Sequence, residues 1–299
     1  QDDEIDLGEL WRAVWAGKIT IIAISFIFAI ASIFFALSKP NVYKASAILA
    51  PASAEGSSGL AGLAGQFGGL ASMAGINLGG SGGDKTALAL EILKSRSFIE
   101  TFISNHGLLV PIMAGENWNL ATDTLMLNNE LYDQVNNKWL REVKPPKKAE
   151  PSSWEAYKKF SELLSVSQDK TTSMVTIGIE YFSPTMAQQW LIWLINDIND
   201  FMRDQDQKEA QASINYLTQQ LENIQVTTME TVFYQLIEEQ TKSMMLTKVK
   251  AEYVLKTIDP PQVPDEKEGP KRALIVALSI MLGGMLSVLI VLIRYFSKK

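Results

Sequence analysis

Few residues in this 299-residue chain are of a type that does chemistry, and their spacing assembles no reaction centre. There is no cysteine, and His106 is the single histidine. Without cysteine there is no thiolate nucleophile, disulfide, zinc ribbon or iron–sulfur cluster; one imidazole excludes His-rich metal sites and any two-histidine mechanism. Ser165, Ser167 and Ser173 carry hydroxyls, but no histidine lies near them in sequence and no G-x-S-x-G elbow surrounds them. The run Gly79-Gly80-Ser81-Gly82-Gly83-Asp84-Lys85-Thr86 approximates a phosphate-binding loop. That loop needs lysine directly after glycine, and here Asp84 puts a negative charge where phosphate would sit. The carboxylates are scattered along helical faces, where solvation accounts for them. The expectation is therefore no catalytic residue, no cofactor, no metal and no enzyme. A formal net charge of −6 also lacks the basic footprint of a nucleic-acid binder.

The apolar residues are organised differently. Ile19 to Ser38 is twenty residues without a charge, bracketed by Lys18 and Lys39. Ala273 to Ile293 is a second uncharged run, preceded by Lys271 and Arg272 and followed by Arg294, Lys298 and Lys299. Twenty helical residues cover roughly 30 Å, the hydrocarbon thickness of a bilayer. The first run exceeds the apolar core of a signal peptide and no small-x-small cleavage site closes it, so it reads as a retained anchor. Two spans place both ends on one side and residues 40–272 on the other. The flanking cations nearly balance, and the length of the intervening segment favours its translocation. Before the first span, Leu7, Leu10, Trp11, Val14 and Trp15 recur at helical spacing, as an interfacial helix would.

Between the spans, Val42–Ala50 is β-rich. Gly56 to Asp84 then holds 11 of the 19 glycines, too costly in backbone entropy to fold as regular structure alone. Leu60, Leu63, Phe67, Leu70, Met73, Ile76 and Leu78 recur through it as beads that can dock on something. Asp84 and Ser97 are expected to cap helices over 86–93 and 98–104, and residues 122–143 read as a mostly polar helical stretch. Ser152-Ser153-Trp154-Glu155 has the form of a capping box opening a helix to about Leu163. Ser173–Phe182 alternates as a half-buried strand, with Leu163–Ser167 pairing across a turn. Ser183-Pro184 starts a helix, and residues 185–258 contain neither glycine nor proline. As one helix those residues would run for roughly 110 Å, an amphipathic rod with interruptions in its apolar stripe.

One stretch is more specific. Pro261, Pro264, Pro270, Lys271 and Gly283 follow the register Pro-x2-Pro-x4-Ser-Pro-Lys-x11-Gly, with Gly269 in place of the serine. Together with the order of elements and the opening IDLGELWRAVWAGK, this resembles the polysaccharide co-polymerases, the chain-length determinant (Wzz-type) proteins, over the whole chain. The absence of residues beyond Lys299 points to the kinase-free type.

The expected fold class is α+β: two transmembrane helices flanking a periplasmic α/β base domain with a very long extended helix. The expected organisation is a cytoplasmic amphipathic N-terminus (1–18), transmembrane helix (19–38), periplasmic α/β domain (39–183) with Gly-rich loop 56–84, long periplasmic helix (184–258), proline-rich membrane approach (259–272), second transmembrane helix (273–293) and cytoplasmic tail (294–299). The resemblance implies a ring-forming homo-oligomer, such as an octamer, in a bacterial inner membrane. It would work with a separate polysaccharide polymerase and set the modal length of an undecaprenyl-diphosphate-linked glycan such as lipopolysaccharide O-antigen. Gly283, Gly284 and Ser287 give the second span a small face for close helix contact, expected to meet a neighbouring subunit or the polymerase. Lys39, Lys44, Lys271 and Arg272 lie at headgroup level, where they are candidates to attract a lipid diphosphate or simply to anchor. The alternative reading is a periplasmic adaptor or scaffold of an envelope export machine.

Overall fold

The computed structural model describes residues 11, 14–52, 82–221, 227–249 and 251–297. It divides into two units, residues 1–43 with 266–299, and residues 44–265.

The first unit contains two helices long and apolar enough to cross a membrane, α1 (Lys18–Ser38) and a second at Arg272–Phe296. Residues 19–38 of the first and 273–293 of the second carry no charge, as a bilayer core favours. Most of their large side chains, Phe26, Phe34, Leu282 and Met285 among them, are exposed.

The second unit is mixed α and β. Its strand β1 (Tyr43–Pro51) follows the first span. Then come α2 (Gly82–Lys94), α3 (Arg96–Asn105) and α4 (Leu109–Ala114). Four short strands follow: β2 (Gly115–Asn119), β3 (Thr124–Leu127), β4 (Tyr132–Asp133) and β5 (Lys138–Trp139). The chain continues through α5 (Ser153–Leu163), β6 (Leu164–Gln168) and β7 (Val175–Tyr181). Two long helices, α6 (Pro184–Leu221) and α7 (Thr227–Val249), lead to β8 (Leu255–Asp259). The helix at Arg272–Phe296 is α8.

The main sheet has the order β6-β7-β1-β8, with β6 antiparallel to β7 and β1 antiparallel to β8. Strands from opposite ends of the sequence thus share one sheet. Alternation in β7 buries Val175, Ile177, Ile179 and Tyr181 on one face. They pack with Leu49, Phe102, Phe160, Trp190, Leu191, Leu194 and Ile198 in a single core. Burying a side chain of that size contributes roughly 1.5–3 kcal/mol, so this face holds the unit together.

Local signals explain several boundaries. Ser152 accepts from the Glu155 amide while Glu155 reaches back to the Ser152 amide, the reciprocal capping box that opens α5. Ser183 Oγ accepts from the Met186 amide at 3.2 Å and Pro184 opens α6. The turn between β6 and β7 is closed by Asp169, which accepts from the amides of Thr171 and Thr172; these bonds hold its carboxyl below the usual range.

Four expectations are corrected. Residues 122–143 are not helical: β2 pairs with β3 and β4 with β5 as antiparallel hairpins. Their turns use Asp123 and Asn137 at positive φ, a conformation these side chains tolerate better than most. The cap of α3 is Ser95, whose extended backbone aims its Oγ at the Phe98 amide, and the helix begins at Arg96 ahead of Ser97. Helix α2 begins at Gly82, two residues ahead of the expected cap Asp84. Residues 184–258 are not one helix. α6 ends at Leu221, roughly 57 Å from its start. α7 packs back along it, and residues 253–255 return to Asn199 and Asp206. Asn199, which is 2% exposed, fastens the returning segment. Its Oδ1 accepts from the amides of Val254 and Leu255, and its Nδ2 donates to the carbonyls of Ile195 and Leu255. A rod would leave that buried amide without its distant partners.

Candidate functional site

Within the first unit, α1 and α8 lie against each other along a face of small residues. Gly283 and Ser287 are buried on α8, and Ser32 and Ala36 on α1. A Cβ built on Gly283 would lie 2.8 Å from the Cβ of Phe28, so only glycine lets the backbone come this close. Gly284 is less constrained, its nearest contact being Ser25 Oγ at 3.8 Å. Ser287 spends its hydroxyl on the Gly284 carbonyl at 2.7 Å, and Ser32 does the same on Ala29 at 2.8 Å. Each serine thereby brings a small, internally satisfied surface to the contact. The expected small face is engaged at Gly283 by the chain's own first span. Gly17 was missed by sequence reading: a Cβ there would meet Val291 Cγ1 at 2.3 Å. The four-residue spacing of Gly283, Ser287 and Val291 was the available signal.

At the other end of the pair, Arg272 closes α1. Its Nε donates to the Ala36 carbonyl at 3.1 Å, and one Nη donates to the Lys39 carbonyl at 3.4 Å and to Asn41 Oδ1 at 3.1 Å. A cation on the last carbonyls of a helix satisfies orphan acceptors and matches the helix dipole. Val42 and Gly269 exchange backbone bonds beside it at 2.9 and 3.2 Å. Of the four expected headgroup cations, the three in the first unit are engaged separately. Arg272 caps α1, Lys39 sits 5.0 Å over the Phe35 ring, and Lys271 is exposed with Glu268 at 3.9 Å. Lys44 belongs to the second unit and pairs with Glu180 at 3.1 Å.

The proline motif is divided between the units. Pro261 and Pro264 belong to the second; Pro261 is buried and its carbonyl accepts from Gln188 Nε2 at 2.9 Å. Pro270, Lys271 and Gly283 belong to the first, with Pro270 half-buried. Of the N-terminal stripe, Trp11 and Trp15 are exposed with rings stacked 6.2 Å apart; Leu7 and Leu10 lie outside the described residues. The docking residues Leu60, Leu63, Phe67, Leu70, Met73 and Ile76 also lie outside them.

In the second unit the titratable groups form structural knots. Arg141 reaches both carboxylate oxygens of Glu155 and the carbonyls of Lys148 and Ala149, tying the 141–155 segment to the start of α5. The Arg141 hydrogen bonds, then the Ser152 amide, hold the Glu155 carboxyl at about 2. Asp206 accepts from Lys85 at 2.6 Å and from the Tyr253 hydroxyl, joining α2, α6 and the returning chain. Burial and then the Asp206 carboxylate push the Tyr253 hydroxyl well above the usual phenol range. His106 Nε2 meets Asp197 Oδ2 at 2.9 Å while its ring stacks on Trp193 at 4.5 Å.

The sequence matches two family models: "Chain length determinant protein" (Wzz) over residues 3–106, and GNVR, "G-rich domain on putative tyrosine kinase", over residues 215–296. No curated protein matches the sequence. Among solved structures, a full-length bacterial polysaccharide co-polymerase is similar at 15% identity and a TM-score of 0.38, covering 99% of this chain and 98% of that one. A fragment of WzzB, a polysaccharide co-polymerase from Salmonella Typhimurium, is similar at 12% identity and a TM-score of 0.32, covering 77% of this chain and all of that one.

Proposed function

From a chain that carries a chain length determinant domain at its start and a GNVR domain toward its end, we infer a polysaccharide co-polymerase. It regulates the modal length of a surface polysaccharide, such as lipopolysaccharide O-antigen, that a separate membrane polymerase builds on an undecaprenyl-diphosphate carrier. The carrying observation is that both matched segments include one of the two membrane-length helices, and that those helices pair through Gly283 and Phe28. The chain sits in a bacterial inner membrane with both ends in the cytoplasm and residues 39–272 in the periplasm. Several copies form a ring, and the protein forms no glycosidic bond itself. The long antiparallel helices α6 and α7 and the small hairpins supply surface for assembly rather than a reaction centre. Residues 56–84 meet the polymerase, the glycan or a neighbouring copy through their apolar beads.

The test is deletion of the gene and complementation. A modal band pattern of the surface polysaccharide on a gel is expected to collapse to an unregulated distribution and to return with the wild-type chain. A modal pattern unaffected by deletion overturns the proposal.

A further inference from the structure

Two cavities of the first unit adjoin at Arg272 and Ala273, and they differ in character. One, of about 490 Å³, is an apolar groove between the spans lined by Ile33, Ala36, Leu37, Val276, Ala277 and Ile280. The other, of about 520 Å³, is mixed in character and carries Lys267, Lys271 and Arg272 against the single carboxylate of Glu268. An excess of two positive charges thus sits at the mouth of an uncharged groove. We propose that the pair is the seat of one anionic diacyl phospholipid, its phosphate among Lys267, Lys271 and Arg272 and one acyl chain along Ala277.

Size supports this occupant. From Arg272 to Ile280 the groove wall advances eight helical residues, roughly 12 Å. That lies within one leaflet of a hydrocarbon core roughly 30 Å thick, so the groove takes the upper part of a single acyl chain. A polyprenyl chain several times longer would leave most of its length outside. Charge supports it too. Arg272 is held by three bonds to Ala36, Lys39 and Asn41, so the guanidinium is oriented before any phosphate arrives. Lys271 is exposed, its ion pair with Glu268 long at 3.9 Å, and it lines the same cavity. Arg272, Ala273 and Leu274 also form the first turn of α8, where the helix dipole favours negative charge. The exposed side of Ala277 leaves the groove open, so filling it does not disturb the Gly283–Phe28 contact.

The full chain, purified in detergent, is titrated separately with phosphatidylglycerol, phosphatidylcholine and a polyprenyl monophosphate, and retained lipid is counted by native mass spectrometry. One phosphatidylglycerol per chain is expected, bound at least about tenfold more tightly than phosphatidylcholine. Ala277→Leu is expected to abolish retention by filling the groove. Lys267→Gln with Lys271→Gln, both at exposed positions that bear on no core contact, is expected to weaken it about tenfold or more. Equal binding of both phospholipids, retention unaffected by Ala277→Leu and the lysine pair alike, or tighter binding of the polyprenyl phosphate each overturns the proposal.

Discussion

Gly283 meets Phe28 so closely that an added Cβ would lie 2.8 Å from the Phe28 Cβ, whereas the same addition at Gly284 would reach nothing nearer than 3.8 Å. Two adjacent glycines on one helix therefore carry opposite expectations. Gly283→Ala forces the spans apart and should destabilise their pairing by about 1–3 kcal/mol, with Gly283→Leu worse. Gly284→Ala should change it by less than about 1 kcal/mol. Thermal unfolding in detergent separates the two; equal losses at both positions would mean the close approach is not at Gly283.

Asn199 fastens the return of the helical pair. Asn199→Ala leaves the amides of Val254 and Leu255 and the Leu255 carbonyl without that partner, at a cost of about 2–3 kcal/mol. Denaturant unfolding should show the loss. Hydrogen exchange should rise first at residues 253–256, because the strand pairing of β8 begins there.

The Arg141–Glu155 knot sets an acid response. The folded-state carboxyl at about 2 lies below its ordinary 4.5, so it favours the folded state above pH 4.5 and loses that contribution as pH falls toward 2. Proteolysis or exchange within residues 141–155 should accelerate over that window. Glu155→Gln should flatten the acid response and leave the segment looser at neutral pH.

Deleting residues 57–80 removes the apolar beads and leaves α2 intact from Gly82. The modal glycan length is expected to shift while the protein still accumulates in the membrane. An unshifted length with normal accumulation would mark the segment as an inert insertion.

Much of this architecture was legible because it rests on local patterning. Uncharged runs between lysines gave both spans, alternation gave β7, and Ser152–Glu155 and Ser183–Pro184 gave helix starts. What escaped was set by distant partners. No proline or glycine separates α6 from α7, and the returning chain is held by Asn199 at residues 254–255, more than fifty positions on. The β1–β8 pairing joins segments some two hundred residues apart, which no periodicity records. The hairpins over 115–139 had signals in Asn117, Asn119, Asp123 and Asn137, but their strands are too short and polar for alternation to show. At the candidate site, Gly283 was visible through its motif. Its neighbour was not, because Phe28 lies more than 250 positions away in sequence.

The length profile of the surface polysaccharide in cells lacking the gene is the most direct measurement, compared after complementation with wild type and with Gly283→Leu. The account predicts loss of the modal length, full restoration by wild type, and a shifted or absent mode with Gly283→Leu. A modal length that persists without the chain would contradict it.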